Sequence, residues 1–98
     1  LRTEKTYGIT GVEYWTIYLI QDERCPICRR ATGKTKRLSV DHDHRKCDNH
    51  PPDMGCRNCI RGLLCDPCNQ LVGYYDIDAL LRAVEYKRNP PAQKVLNP

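Results

Sequence analysis

Apolar and polar positions alternate in short blocks along the 98-residue chain, and no block is long enough to fill a large core. Residues 1–10 form a mainly polar lead-in. Thr10-Gly11-Val12-Glu13 then sets Thr at a helix N-cap and Glu three positions on, a capping box that satisfies two backbone donors at a helix start. The spacing predicts a helix to about Gln21, with Val12, Trp15, Tyr18 and Leu19 on its buried face. Leu38-Ser39-Val40 alternates as a strand does and feeds Asp41-His42-Asp43-His44. Residues 45–60, with Pro51, Pro52 and Gly55, read as loop. Gly62-Leu63-Leu64 is a second short strand candidate and runs into Cys65-Asp66-Pro67-Cys68-Asn69. Asp66 followed by Pro67 predicts an N-cap and a Pro at the first helical position, which puts Asn69 on the first turn of a helix that Gly73 ends or weakens. Asp76 opens a further helix, with Ile77, Leu80, Leu81 and Val84 at helical spacing and Lys87 and Arg88 at its negative end. Asn89-Pro90-Pro91 stops it. The expectation is one small α+β domain over residues 1–89, followed by a disordered or partner-contacting tail over residues 90–98.

Composition sharpens this picture in one respect. Phe is absent, Met and Trp occur once each, and seven of the apolar residues are cysteines. A core this thin needs a staple, either disulfides or metal. An odd number of cysteines cannot close an intramolecular disulfide set, and six of the seven fall into three CxxC pairs, Cys25/Cys28, Cys56/Cys59 and Cys65/Cys68. Such pairs are the spacing that tetrahedral zinc uses. A redox dithiol is the alternative for any one pair, but it needs a βαβ context and does not account for three. Cys47 lies three residues before His50, so seven Cys and one His offer eight ligands, enough for a four-Cys site and a three-Cys, one-His site. The expectation is therefore one or two structural zinc ions, with His42 and His44 left uncommitted. A finger in which His42 and His44 complete the Cys25/Cys28 set is the competing arrangement, and one residue between the two histidines is too few for it.

The chain carries a net charge of +4, with Arg29, Arg30, Lys34, Lys36 and Arg37 clustered just before Asp41. A charge run of this kind is usually a solvated hairpin. Its position next to Asp41-His42-Asp43-His44 predicts phosphate-backbone contact, with Arg61 added to the same set. No apolar run approaches the ~18–20 residues of a membrane span, so no membrane partner is expected.

The order strand, Asp-His-Asp-His, loop, strand and Asn-bearing helix suits metal-assisted phosphodiester hydrolysis. A carboxylate and an amide oxygen can grip a hard cation such as Mg²⁺, and a neutral histidine beside it can take a proton from water. At these residues the sequence resembles the phage recombination endonuclease VII family, within the HNH or ββα-metal nucleases. The resemblance rests on Cys25/Cys28, the stretch Leu38 to His44, and Arg61-Gly62-Leu63-Leu64-Cys65-Asp66-Pro67-Cys68-Asn69, in that order. It implies an HNH-like ββα-metal motif stapled by structural zinc and flanked by N- and C-terminal helices.

Position by position, it implies that Asp41 and Asn69 hold a catalytic Mg²⁺ or Mn²⁺, that His42 is the general base and that His44 contacts the scissile phosphate. Cys25, Cys28, Cys65 and Cys68 would hold the structural zinc, which leaves Cys47, His50, Cys56 and Cys59 for a second. The implied activity is nicking, or cleavage of junctions and mismatches, in duplex or branched DNA to leave a 5′-phosphate, by a phage or prophage protein in the cytoplasm of a bacterial host. A homodimer is compatible with it. Val72 departs from the pattern, since better-known members carry a carboxylate there. That departure keeps open a second reading, a non-catalytic zinc module that binds nucleic acid or protein.

Overall fold

The computed structural model describes residues 8–43 and 57–98. Among these the order is α1 (Gly11–Ile20), β1 (Ser39–His42), β2 (Ile60–Leu64), α2 (Asp66–Tyr74), α3 (Ile77–Arg88) and a single-turn α4 (Gln93–Leu96), an α+β arrangement with one two-stranded sheet. The one-turn α4 lies within the segment expected to be a tail, and it is exposed throughout.

The capping box starts α1 as the sequence requires. Thr10 Oγ1 accepts from the Glu13 amide at 3.0 Å, and Glu13 Oε1 accepts from the Thr10 amide at 2.9 Å. The buried face differs from the expected one. Tyr14 and Tyr18 are buried and Ile17 packs beside them, while Val12, Trp15 and Leu19 stay exposed. The reason is the tyrosine hydroxyls. Tyr14 donates to the Leu38 carbonyl and Tyr18 to the Thr32 carbonyl, so both rings can be buried with their polar tips satisfied. Trp15 lies edge-on to both rings, and the Arg37 guanidinium sits 4.8 Å from the Tyr14 ring centre and 5.2 Å from that of Trp15. Between Cys28 and β1 the chain turns at Gly33, whose φ of +73° is a left-handed conformation suited to glycine.

β1 and β2 pair antiparallel, with Ser39 opposite Leu64, Val40 opposite Leu63, Asp41 opposite Gly62 and His42 opposite Ile60. The register skips Arg61, so β2 bulges between the partners of Asp41 and His42. A bulge bends a strand and re-aims the side chain of its extra residue. The outer edge of β2 is closed by a side chain rather than a third strand. Gln21 Nε2 donates to the Leu63 carbonyl at 2.9 Å, and the Leu63 amide donates to Gln21 Oε1 at 2.9 Å. Gly62 makes room for it, because a Cβ there would lie 2.8 Å from Gln21 Oε1. Leu63 is fully buried. Gln21→Ala should therefore leave two shielded backbone groups without partners, costing about 1–3 kcal/mol for each. Urea unfolding of the zinc-loaded protein measures the loss.

α2 begins one residue earlier than expected: Cys65 is its N-cap, and Asp66 and Pro67 are its first two residues. Asp66 does not cap because its carboxylate is taken by Lys36 and by the Ser39 hydroxyl, which ties the basic loop and β1 to the helix start. Gly73 lies inside the helix, which runs on to Tyr74. α3 is capped by Asp76, which accepts from the Ala79 amide at 2.8 Å. Of its four apolar positions, Ile77, Leu81 and Val84 are exposed and Leu80 is half-buried.

The core is correspondingly small. Ile9, Tyr14, Tyr18, Leu38, Val40, Leu63 and Leu64 enclose Cys25 and Cys68, so two of its nine buried members are thiols.

Candidate metal centre and active site

Cys25 and Cys28 sit on a tight knuckle after α1. The Cys25 amide donates to the Ala31 carbonyl at 2.8 Å and the Arg29 amide to the Cys25 carbonyl at 2.9 Å. Arg29 takes a φ of +60° to close the turn, and the Arg30 amide points at Cys28 Sγ from 3.5 Å. Cys65 and Cys68 come from the end of β2 and the first turn of α2. The four sulfurs lie within 4.8 Å of one another, and Cys28 and Cys65 are 3.8 Å apart. Sulfurs about 2.3 Å from a common zinc in a tetrahedron stand about 3.8 Å apart, so the four-thiol set fits that ion and could hold it as a structural metal. Backbone donors from Ala31 and Arg30 bring the Cys28 thiol down to about 6, and burial pushes Cys68 up to about 12.

The cysteine cluster is joined directly to the polar residues. Asn69 follows Cys68 on α2, with its amide bonded to the Cys65 carbonyl at 2.9 Å. Across from it, β1 delivers Asp41 and His42. Asp41, His42 and Asn69 line one cavity of about 540 Å³ with Gln70, Gly73 and Tyr74. A second hollow of about 240 Å³ is bounded by His42, Asp43, Arg61, Val72 and Asp76, among others. His42 is half-buried, and both of its ring nitrogens are shielded from solvent. The Asp43 amide donates to the Cys59 carbonyl at 2.7 Å.

Asp41 is buried and carries a charge partner. Arg61 grips it with two hydrogen bonds, Nε to Oδ2 at 2.7 Å and Nη2 to Oδ1 at 3.0 Å. The same bond raises the Arg61 guanidinium above its ordinary pKa. Arg61, expected among the DNA-contacting cations, is instead paired with a buried carboxylate. The alternation of a regular strand would put Arg61 and Asp41 on opposite faces, and only the bulge brings them together.

The other basic residues differ among themselves. Arg29, Arg30, Lys34, Lys36 and Arg37 are all exposed. Lys36 is engaged by Asp66 and Arg37 by the two aromatic rings, while Arg30, Lys36 and Arg37 border a hollow of about 410 Å³. Arg57 pairs with Glu13, and that bond holds the Glu13 carboxyl down at about 2.

His44, Cys47, His50 and Cys56 lie outside the described residues. Cys59, expected in a second zinc set, is buried and disulfide-bonded, and a sulfur in a disulfide is not available as a thiolate ligand. No helix among the described residues is long and apolar enough to cross a membrane.

Comparison with known proteins gives a consistent result. The family description of recombination endonuclease VII matches residues 1–89. The "Gene 59 protein" of Mycobacterium phage D29 is 49% identical over 94 residues, covering 93% of this chain and 50% of that protein. Its namesake in Mycobacterium phage L5 is 49% identical over 94 residues, covering 93% of this chain and 51% of that protein. The chain thus spans about half the length of these curated relatives. No solved structure matches it significantly. With nine-tenths of its length under one family description, the chain belongs to the recombination endonuclease VII family.

Proposed function

We propose that this chain is a metal-dependent DNA endonuclease domain in which β1, β2 and α2 act as an HNH-like ββα-metal motif. The observation that carries this reading is the shared cavity of Asp41, His42 and Asn69, held next to a four-cysteine cluster that spends no histidine. Asp41 and Asn69 offer the oxygen ligands that suit a hard cation. Arg61 engages one acceptor site on each Asp41 oxygen in this structure. A Mg²⁺ or Mn²⁺ ion bound there supplies positive charge to polarise the scissile phosphate and offset charge on the leaving oxygen.

His42, shielded from bulk water, takes the proton of the attacking water as general base. His44 contacts the scissile phosphate, and the exposed cations Arg29, Arg30, Lys34, Lys36 and Arg37 track the backbone without reading sequence. Cys25, Cys28, Cys65 and Cys68 hold zinc. Duplex or branched DNA in the cytoplasm of a phage-infected bacterium is the expected substrate, and a homodimer would supply the paired sites that junction resolution needs.

Zinc-loaded protein should nick supercoiled plasmid when Mg²⁺ is added, and a DNA ligase should reseal the nicks, as it can only where a 5′-phosphate remains beside a 3′-hydroxyl. Nicks that the ligase cannot close would overturn the stated polarity of cleavage. Val72 in the carboxylate position favours the second reading, a non-catalytic zinc module. That reading predicts DNA binding that weakens steeply with salt and no nicking at any cation concentration.

A further inference from the structure

The cation pocket comes with a built-in competitor. Asp41 is 5% exposed, and a buried carboxylate without a partner is costly. Arg61 supplies that partner from the one residue that the β1–β2 register skips. The pairing looks made for exchange rather than permanence. The Arg61 side chain is 39% exposed while that of Asp41 is 7% exposed, so the guanidinium can swing to solvent without breaking the core, whereas the carboxylate stays fixed. Arg61 also borders the hollow that contains His42 and Asp43, which gives it a place to go.

We propose that Arg61 is a counter-ion latch: it holds Asp41 neutralised and in position before metal arrives, and a divalent cation must displace it from Asp41 to bind. This rests on the reading of Asp41 as a cation ligand given above. The guanidinium carries one charge and gains only charge-assisted hydrogen bonds, while a divalent ion carries two, so the exchange runs forward at sufficient cation concentration. Arg61 is on this account a positioning residue that sets the cation threshold, and its removal unmasks the site.

The test is Mn²⁺ affinity of zinc-loaded protein, read by the loss of the free-ion electron paramagnetic resonance signal, without DNA. Arg61→Gln should bind Mn²⁺ about 10- to 100-fold more tightly than wild type, the scale of one charge-assisted pair. Arg61→Lys, which keeps a charge but has no fork, should fall between the two. It also serves as the reporter if zinc content or circular dichroism shows that the glutamine variant does not fold. Unchanged or weaker binding in both Arg61 variants would overturn the latch. Asp41→Asn separates this from failure of the site itself. Loss of Mn²⁺ binding there with no gain in the Arg61 variants removes the latch alone, whereas wild-type binding by Asp41→Asn removes the cation site and the latch together.

Discussion

Cys68→Ser should lose its zinc and, with it, its cooperative fold. The side chain is buried in the core cluster and belongs to the four-sulfur set, so a serine hydroxyl there removes a ligand from the place where the two arms of the domain meet. The magnitudes decide the outcome. A structural zinc contributes on the order of 10–16 kcal/mol of apparent binding energy, whereas a hydrophobic core in a chain this small seldom supplies more than about 3–5 kcal/mol. Here α3 and α4 bury no side chain, so they add little to that core. Zinc content and the thermal transition by circular dichroism would both be read. A variant that binds no zinc and still melts cooperatively at the wild-type temperature would show that the sulfur cluster is dispensable.

His42→Ala should retain zinc and fold while losing about 10²- to 10⁴-fold in the rate of plasmid nicking, the usual worth of a positioned general base. The fold should survive because His42 ends a strand whose buried positions are Val40 and Asp41, and the substitution leaves the Asp41–Arg61 pair intact. Cleavage by His42→Ala at the wild-type rate would remove the proposed mechanism. Cleavage lost together with zinc would mean that the histidine acts on the scaffold instead.

The elements themselves were legible because their signals are local. The Thr10–Glu13 box, the Asp76 cap and the Cys25/Cys28 and Cys65/Cys68 pairs each act within four residues, and each appears where the spacing puts it. What was not legible depends on distant partners. The buried face of α1 is chosen by carbonyls at Thr32 and Leu38, which no helical periodicity can anticipate, and the choice turns Trp15 outward onto Arg37. Asp66 is drawn from a capping role by Lys36 and Ser39, 30 and 27 residues away. The apolar stripe of α3 announced an amphipathic helix correctly, but periodicity says nothing about whether a partner lies within the same chain.

The candidate site divides in the same way. Asp41, His42 and Asn69 could be singled out from residue type and order, and they share a cavity. The Arg61–Asp41 fork could not, because it depends on a one-residue irregularity in strand register that leaves no mark on composition or alternation. A slip of one residue redirects a side chain to the other face of a sheet, and here that redirection brings a cation onto the carboxylate proposed to bind metal.

If sulfur holds the structural ion and oxygen the catalytic one, the most direct measurement adds the two metals separately. Protein loaded with zinc and dialysed free of other divalent ions is mixed with supercoiled plasmid, and Mg²⁺ is then titrated in while bound zinc is followed by elemental analysis. The predicted result is no nicking until Mg²⁺ is present, followed by nicking that rises with Mg²⁺ while zinc per chain stays constant. Full-rate nicking with zinc alone, or Mg²⁺-dependent nicking that requires zinc to leave, would contradict the assignment.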